Sequence, residues 1–413
     1  MLVKPTVLVA TTSRWVTTAR LAVALARAGF IVKAVCPSRH PLSKTTAADE
    51  IYSYSGVMPL ASFADAISSA NPDLVVPADD LATLHLHQLH SREKRCGADG
   101  ARICALIERS LGNCESFSIV CARARFMQVA EEEEIRCPAT EVITNERDLE
   151  GFVSRNGLPV VLKANATSGG EGVRVVRTIE DAKREFRALS APPVLARVAK
   201  RAIFDRDNRL IWSALMRRRP VVNAQRFIAG REATNLVACW QGEVLASLHF
   251  EVVHKTDAAG HATVLRLIDN SEMVSATEKT VRCLGLSGLH GFDFMLEANT
   301  GNAYLIEINP RTTQVAHLTL GPGRDLPAAL YSAATNEVLH PSPSLTENDT
   351  VALFPQEWLR DPESSYLTSA YHDVPWSESE LVRACLQTRR KQKAWYLQRD
   401  WSHALSTARL PRP

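Results

Sequence analysis

The stretch that decides the fold is G-F-D-F-M-L-E-A-N-T-G-N-A-Y-L-I-E-I-N-P-R, residues 291–311. Apolar and polar residues alternate on both sides of residues 298–302, where Asn299, Gly301 and Asn302 provide turn-forming residues. A period of two is typical of a β-strand, and two such runs joined by an Asn/Gly-rich turn are typical of a β-hairpin. The stretch therefore predicts two antiparallel strands.

Three oxygen-bearing side chains are expected on one face of this hairpin. Residues two apart on a strand share a face, so Glu307 and Asn309 point the same way, and Asp293 on the partner strand reaches that side. Two carboxylates and a carboxamide suit Mg²⁺ (or Mn²⁺) holding a polyphosphate better than they suit Zn²⁺. The alternative is a surface hairpin with polar residues in solvent. The apolar first strand and the Pro310-Arg311 pair favour the metal site.

Composition narrows the classes of protein that fit. A chain of 413 residues is too long for one ordinary core, and its 46% hydrophobic and 23% charged residues are typical of a soluble globular protein. A net charge of +3 is too small to indicate nucleic-acid binding. Nine cysteines without a C-x-x-C pair favour reduced thiols. With no signal peptide and no long apolar stretch, we expect a cytoplasmic protein that binds neither nucleic acid nor a membrane.

The N-terminal region has the pattern of a parallel α/β unit. Residues 6–10 and 30–35 are strand-like, and apolar residues at helical spacing lie between them at 17–28. The turn between the first strand and the helix lacks G-x-G-x-x-G, so a dinucleotide site is not predicted. A further buried strand, residues 73–77, is followed by Asp79, which we expect to cap the next helix.

A second conspicuous segment runs from Leu158 to Val176. A strand carrying Lys163 leads into the glycine-rich turn N-A-T-S-G-G-E-G, residues 165–172, and then into another strand. Glycines let backbone N–H groups approach phosphate oxygens, and a lysine provides a point charge for them. The alternative is a hairpin whose glycines serve turn geometry only, with a solvent-exposed lysine. The order of residues is not that of a Walker A loop.

Two further patterns concern the middle of the chain. Residues 119–138 have amphipathic helical spacing, and Cys137-Pro138 ends them. The strand-like runs at 221–228, 231–238 and 243–248, separated by Ala229-Gly230 and Gln241-Gly242, predict an antiparallel meander.

The order of these features resembles the ATP-grasp superfamily. Lys163 and its glycine-rich loop, then Q-R-F-I-A-G-R-E (225–232), then D-F-M-L (293–296) and L-I-E-I-N-P-R (305–311) carry the resemblance, which spans residues 1–335. Carboxylate–amine ligases and carbamoyl-phosphate-synthase-like members are the most similar. The resemblance implies an α/β and α+β architecture: a Rossmann-like parallel domain (1–118), a two-lobed ATP-grasp domain (119–335; lobes 119–222 and 223–335) and a C-terminal extension (345–413).

The resemblance also implies roles for individual residues. Lys163 matches the lysine that holds the α- and β-phosphates, Gln225 with the backbone of Phe227 and Ile228 matches the adenine-binding strand, and Glu232 matches the ribose-binding acid. The residues that match the flexible loop over the phosphates are Ser168, Gly169, Gly170 and Gly172. Asp293, Glu307 and Asn309 match the Mg²⁺ ligands. Arg311 matches the arginine that faces the transferred phosphate, which makes Arg311 and Lys163 the expected catalytic residues.

Three positions depart from the usual family pattern. Arg123 is the nearest cation where the family has a phosphate-binding lysine, with Arg125 as a competitor, and arginine can bind phosphate through two donors. Gln225 replaces the adenine-binding acid, although its amide oxygen can still accept a hydrogen bond. Gly291 stands where some members carry a catalytic arginine. The catalytic cation must then be Arg311, Arg266 or Arg324.

The implied activity is an ATP-dependent, Mg²⁺-dependent ligation. ATP would phosphorylate the carboxylate of a small molecule, and an amine would then displace the phosphate, without a nucleophilic side chain. One alternative is a biotin-carboxylase-like enzyme acting on bicarbonate, although no biotin-carrier segment is present. The other is an ATP-binding protein that does not turn over. Four tryptophans after residue 351 make a homodimer a further possibility to test.

Overall fold

The computed structural model describes residues 4–165, 172–191, 220–257, 260–337 and 343–387. Within them the strands are β1 Thr6–Ala10, β2 Ile31–Cys36, β3 Glu50–Ser53, β4 Leu74–Pro77, β5 Thr140–Ile143, β6 Val160–Ala164, β7 Val173–Val176, β8 Val222–Arg226, β9 Gly230–Trp240, β10 Glu243–Lys255, β11 Ala262–Leu267, β12 Gly288–Glu297, β13 Ala303–Asn309, β14 Thr350–Leu353 and β15 Tyr371–Asp373. The helices are α1 Val16–Ala28, α2 Pro59–Ala70, α3 Asp80–Glu93, α4 Ala101–Leu111, α5 Phe117–Val120, α6 Arg123–Glu132, α7 Glu146–Asn156, α8 Ile179–Ser190, α9 Ser271–Leu284, α10 Leu326–Thr335, α11 Gln356–Arg360 and α12 Tyr366–Ser369.

The first of three sheets is parallel, with strand order β3-β2-β1-β4. β1, β2 and β4 are largely apolar and buried, as parallel strands covered on both faces require, whereas the edge strand β3 is largely exposed. Helix α1 ends at Gly29, whose φ of +115° is a left-handed conformation that favours glycine. The prediction of an N-terminal parallel α/β unit is confirmed.

Asp79 occupies the carboxyl edge of this sheet, between β1 and β4. Its buried carboxylate accepts hydrogen bonds from the Thr11 hydroxyl (2.8 Å), from the backbone N–H and hydroxyl of Thr12 (2.6 and 2.7 Å) and from the Ser13 N–H (3.1 Å). It also accepts from the Ala82 N–H (2.9 Å), so the predicted N-cap of α3 is confirmed. The turn after β1 therefore closes around a side chain of the protein itself.

The second sheet has four strands in the order β5-β8-β6-β7, and every pairing in it is antiparallel. Apolar residues of α7 and α8 pack on it, including Phe152 and Phe186. β6 and β7 form the predicted hairpin, with Lys163 opposite Val173. Lys163 is buried, because this sheet is covered on the side that the lysine faces. The alternative of a solvent-exposed lysine is wrong.

The third sheet has seven strands in the order β13-β12-β9-β10-β11-β14-β15. β12 and β13 form the predicted hairpin, in which Asp293 lies opposite Glu307 and Gly291 lies opposite Asn309. Phe292 and Phe294 are fully buried against α6 and α9. These aromatic residues fix which face of the hairpin is turned inward, and so they fix the face that carries the polar residues.

The structure differs from the sequence-based expectations in three places. The predicted meander is wrong for its first strand, since β8 pairs with β5 and β6, and the meander is formed by β9, β10 and β11. The helix predicted over 119–138 begins at Arg123 as α6 and ends at Glu132. β14 and β15, from the C-terminal extension, complete the seven-stranded sheet. The exact domain boundaries stay predictions.

A buried charge cluster attaches the C-terminal strands to the body. The Asp373 carboxylate accepts from both terminal nitrogens of Arg20 (2.7 and 2.5 Å) and from His317 Nε2 (2.7 Å). Burial acts to raise the pKa of Asp373, but the charges of His317 and Arg20 and their hydrogen bonds outweigh it and hold that pKa below its usual range. Among the described residues, no helix is both long enough and apolar enough to cross a bilayer.

We expect Asp373→Ala to lower the free energy of unfolding by about 3–5 kcal/mol, because it leaves the buried Arg20 charge without its partner. Urea denaturation measures the change. Asp65→Ala, an exposed aspartate on α2, is the matched control and should change stability by less than about 0.5 kcal/mol. Because the pKa of Asp373 is lowered in the fold, the stabilisation should be present at neutral pH and lost as the pH falls below about 4. Equal effects of the two substitutions would contradict this role.

Candidate active site

The second and third sheets meet at β13. The backbone carbonyl of Ile306 accepts from Lys163 Nζ of β6 (3.5 Å) and from Gln225 Nε2 of β8 (3.3 Å). Two neighbouring strands of the four-stranded second sheet (the small sheet) thus face one strand of the seven-stranded third sheet (the large sheet). The polar face of the β12–β13 hairpin lies in the cleft between them.

The structure brings the three predicted metal ligands together. Asp293 Oδ1 accepts from the Thr234 hydroxyl (2.9 Å), and Asp293 Oδ2 accepts from Asn309 Nδ2 (2.9 Å). Glu307 is the cross-strand partner of Asp293. Strand register alone therefore places two carboxylates and a carboxamide side by side, as the sequence pattern predicted.

Two cations from other elements converge on Glu307. Arg123, the first residue of α6, donates to Glu307 Oε1 at 2.5 Å, and Lys163 Nζ lies 4.0 Å from Glu307 Oε2. Asn165, which follows β6, accepts from Arg123 (3.5 Å) and from Asn223 Nδ2 of β8 (2.8 Å). Glu307 of β13 is therefore paired with one cation from α6 and one from β6.

Burial and neighbouring charge shift the pKa values in this cleft. Burial, and then the Glu307 charge, raise the pKa of Asp293. Burial acts in the same direction on Glu307, but the charges of Arg123 and Lys163 outweigh it and lower the pKa of Glu307. Burial lowers the pKa of Lys163 to about 8, with Glu307 opposing and Arg123 adding to the shift. The charged form is thus favoured at Glu307 and disfavoured at Asp293, where no cation among the described residues contacts the carboxylate as closely.

This donor set fits a divalent metal ion. Oxygen atoms of two carboxylates and one carboxamide are hard ligands of the kind that Mg²⁺ and Mn²⁺ prefer. Asn309 directs its amide nitrogen towards Asp293 and its oxygen towards Arg311 (3.2 Å). A half-turn of the amide would present the oxygen on the Asp293 side. The roles of Asp293, Glu307 and Asn309 as ligands stay predictions.

Arg311 is held where the hairpin meets the N-terminal unit. Its Nε donates to Asp80 at 2.9 Å, one terminal nitrogen donates to the Thr312 carbonyl at 3.0 Å, and the guanidinium lies 5.6 Å from the centre of the Trp15 ring. The Thr83 hydroxyl donates to the carbonyl of Pro310 (2.8 Å). Burial disfavours the charged form, but the charge of Asp80 outweighs it and raises the pKa of Arg311. Arg311 therefore stays charged at the edge of the cleft.

Gly291 leaves no room for the arginine that some family members carry there. A β-carbon built on Gly291 would lie 2.5 Å from Thr313 Cγ2 and 3.3 Å from Asn309 Cβ. Of the alternative cations, Arg324 pairs with the exposed Asp269 at 2.7 Å, and Arg266 lies on β11 opposite Thr350. Within the described residues, Arg311 is the one of the three that contacts Asn309.

The residues predicted to bind adenine and ribose lie near the end of β8, in the segment that joins β8 to β9, and at the start of β9. Gln225 is buried at the end of β8, where its amide nitrogen donates to the Thr140 hydroxyl (3.0 Å) as well as to Ile306. Phe227 and Ile228 lie between β8 and β9. Glu232 on β9 is exposed and pairs with Lys255 (2.6 Å). These roles stay predictions.

The predicted phosphate loop is described only at its end. Ser168, Gly169 and Gly170 lie outside the described residues. The carbonyl of Gly172 accepts from the Ala164 N–H (2.9 Å) and so closes the β6–β7 hairpin next to Lys163.

Sequence reasoning missed several residues that position this site. The Arg311 segment is held by Asp80, Thr83 and Trp15. Of these, Asp80 could have been found from the sequence, because it follows a strand of a parallel sheet, where functional residues concentrate. Asn223 lies buried inside β8, and its amide links Asn165 to the Lys163 carbonyl. No pattern in the sequence marks Asn223 or Trp15.

The resemblance implies that Lys163 holds nucleotide phosphates, and we expect the affinity for them to depend on pH. An anionic phosphate favours protonated Lys163, and that form becomes scarce above a pKa of about 8. We expect the affinity for Mg²⁺-ADP to weaken by up to about tenfold per pH unit above pH 8, as linkage to one proton requires. Calorimetry between about pH 7 and pH 9.5 measures this change. In Lys163→Arg the side chain stays charged, so the affinity for Mg²⁺-ADP should not change with pH over this range. If the wild type and the variant lose affinity equally as the pH rises, Lys163 is not the group responsible.

Comparison with known proteins agrees with this geometry. Residues 123–315 match the family described as "ATP-grasp domain". A comparison with curated proteins finds no match. Among solved structures, the biotin carboxylase domain of Hydrogenobacter thermophilus 2-oxoglutarate carboxylase is similar, with a TM-score of 0.56 and 17% identity over 81% of this chain and 71% of that chain.

Two N5-carboxyaminoimidazole synthetases are also similar in structure. The enzyme from Staphylococcus aureus has a TM-score of 0.58 and 13% identity over 82% of this chain and 79% of its own. The enzyme from Aspergillus clavatus has a TM-score of 0.56 and 13% identity over 81% and 78%. At these identities the similarity establishes the fold. Together with the family match over residues 123–315, it shows that this part of the chain is an ATP-grasp domain.

Proposed function

We propose that the protein is an ATP-dependent ligase that activates a small-molecule carboxylate as an acyl-phosphate and joins it to an amine. One observation carries the proposal: Lys163 and Arg123 converge on Glu307 from across the cleft, beside Asp293 and Asn309. A site that combines cations with hard oxygen ligands suits a nucleoside triphosphate with its metal ion. The solved relatives support it, since they are described as complexes with ADP, with MgADP or with ATP.

The protein's contribution is to position the reactants and offset their charge. Lys163 of β6 and Arg123 of α6 would contact phosphate oxygens, and their burial strengthens each electrostatic interaction. Asp293, Glu307 and Asn309 would hold Mg²⁺, which when bound would neutralise charge on the phosphates. Gln225, Phe227, Ile228 and Glu232 would bind the nucleoside. No side-chain nucleophile is required.

The reaction then follows in two displacements. In the first, a carboxylate oxygen attacks the γ-phosphorus and the bond to the β–γ bridging oxygen breaks, which releases ADP. In the second, the amine nitrogen attacks the acyl carbon, the bond to the phosphate oxygen breaks, and the amine loses a proton. Arg311 is charged and held by Asp80, so it can face the phosphoryl group in both steps without reorganising.

The decisive experiment measures ADP release from ATP and Mg²⁺ with pooled small carboxylates and amines, followed by mass spectrometry of the products. We expect ADP formation to require one carboxylate, and a condensed product to require one amine as well. ATP binding without ADP formation for every acceptor would instead favour a non-catalytic ATP-binding protein.

A second candidate uses bicarbonate as the carboxylate. The observation that favours it is the solved biotin carboxylase domain, which is described as a complex with MgADP, ADP and bicarbonate. The same assay separates the two: ¹³C-bicarbonate would support ADP formation by itself, and the label would enter the product. The small-molecule substrates and a homodimer stay proposals, and light scattering measures the assembly state.

A further inference from the structure

A second group of metal-ligating side chains lies outside the nucleotide cleft. His90 on α3, Glu108 on α4 and Cys114 in the 3₁₀ turn Cys114–Ser116 place one ligand atom each within 4.8 Å of one another. His90 Nε2 lies 2.6 Å from Glu108 Oε1. Glu108 also hydrogen-bonds the Cys114 thiol. Three segments that are separate in sequence thus direct an imidazole, a carboxylate and a thiol at one point.

The positions of His90 and of the turn that carries Cys114 are fixed by their surroundings, whereas Glu108 is exposed. His90 is buried, and its ring stands edge-on to Phe117 with 5.4 Å between ring centres. The backbone carbonyl of His90 accepts from the Cys104 thiol at 3.5 Å, which ties α3 to α4. Asn113 caps the turn that carries Cys114, because its side-chain oxygen accepts from the Glu115 N–H (3.0 Å). Little rearrangement is needed to collect the three ligands.

A surface groove gives an ion access to this cluster. The groove has a volume of about 900 Å³, and both His90 and Cys114 line it. A second Cys–His pair lies on the same groove, where Cys121 Sγ is 3.5 Å from His87 Nδ1. The groove is therefore lined by two imidazoles and two thiols, whereas the ligands of the proposed Mg²⁺ site are all oxygen atoms.

We propose that His90, Glu108 and Cys114 bind one transition-metal ion, Zn²⁺ in preference to Mg²⁺, with a fourth position open to the groove. Nitrogen and sulfur ligands favour Zn²⁺, and three protein ligands with an open fourth position are typical of accessible zinc sites. On binding, Cys114 loses its proton to solvent and coordinates as the thiolate. Nothing in this site depends on the ATP-dependent activity.

The bound ion would join the far end of α3 to α4. α3 carries Asp80 and Thr83 at its first turn, where they hold the Arg311 segment. His90 lies ten residues after Asp80, about 15 Å along the helix. A metal crosslink would therefore stabilise α3, the helix whose Asp80 pairs with Arg311. We expect metal loading to raise the melting temperature of the full chain.

The test uses full-length protein treated with a chelator and then titrated with Co²⁺ in excess Mg²⁺, which keeps Co²⁺ from the oxygen-ligand site. Binding at the cluster should give a thiolate-to-cobalt absorption band that saturates at one ion per chain, and Zn²⁺ should abolish it. Cys114→Ser should remove the band. His90→Gln should weaken Co²⁺ binding by more than the roughly 10–100-fold loss that is typical when a residue hydrogen-bonded to a metal ligand is changed.

Cys96→Ser is the matched control, because Cys96 is an exposed cysteine outside the cluster and should leave the band unchanged. Circular dichroism checks that each variant is folded, and His90→Gln keeps the test available if Cys114→Ser does not fold. Absence of a stoichiometric band in the wild type, or a band that survives both Cys114→Ser and His90→Gln, would overturn the proposal. ADP formation is measured separately, so failure here leaves the ligase proposal unaffected.

Discussion

Glu307→Gln is expected to lower the rate of ADP formation by about 10²–10⁴-fold, which corresponds to a loss of several kcal/mol of metal-dependent stabilisation. The substitution keeps the size of the side chain but removes the charge that faces Arg123 and Lys163. It also removes one of the two carboxylates proposed to hold Mg²⁺. The apparent affinity for Mg²⁺ should therefore weaken along with the rate.

The measurement is ADP release as a function of Mg²⁺ concentration, with circular dichroism to check the fold. Glu297→Gln is the matched control, because Glu297 ends the same strand pair but lies at the exposed turn, beside Thr300. The control should retain wild-type activity. A Glu307→Gln variant with wild-type turnover and Mg²⁺ dependence would show that the hairpin does not hold the metal ion.

Arg311→Lys should lower kcat by about 10²–10³-fold with little change in the KM for ATP, as is typical when one donor to the transition state is lost. The guanidinium reaches Asp80, Asn309 and the Thr312 carbonyl at the same time, through three different nitrogens. A lysine has a single nitrogen and cannot keep this arrangement. The charge would remain, but its position relative to the phosphoryl group would change.

Single-turnover and steady-state assays of ADP formation separate the loss of kcat from a loss of nucleotide affinity. Arg324→Lys and Arg266→Lys serve as controls, since these arginines are the alternative cations. Both should stay within about threefold of the wild type, because among the described residues Arg311 is the one of the three arginines that contacts Asn309. A larger loss in either variant than in Arg311→Lys would assign the catalytic cation elsewhere.

Local sequence patterns were sufficient for much of the site. The hairpin was predictable because Phe292 and Phe294 alternate with polar residues, and burial of these aromatics sets the register that pairs Asp293 with Glu307. Lys163 was predictable because a strand of apolar residues precedes a glycine-rich turn. In both cases the information lies within about 20 residues, the range over which strand periodicity and turn chemistry act.

Contacts between distant segments were not predictable in the same way. The sequence pattern placed β8 in the wrong sheet, because strand periodicity does not identify the partner strand. The partners of β8 are β5 and β6, and the paired residues nearest in sequence, Ala164 and Val222, are 58 residues apart. β14 and β15 have four and three residues, too few to show a period. The pairing of Asp80 with Arg311 depends on how the N-terminal unit packs against the hairpin, which no local pattern contains.

The Asp79 carboxylate affects whether the turn after β1 can bind an anion such as a phosphate group. The turn after the first strand of a parallel sheet offers N–H and hydroxyl donors that in other proteins receive a phosphate group. Here Thr11, Thr12 and Ser13 give those donors to Asp79, which acts as an internal substitute for that anion. A phosphate could enter the turn only by expelling a carboxylate that also caps α3. The negative charge of Asp79 would repel a phosphate group at this turn, so we do not expect the described turn after β1 to contribute to the proposed nucleotide site.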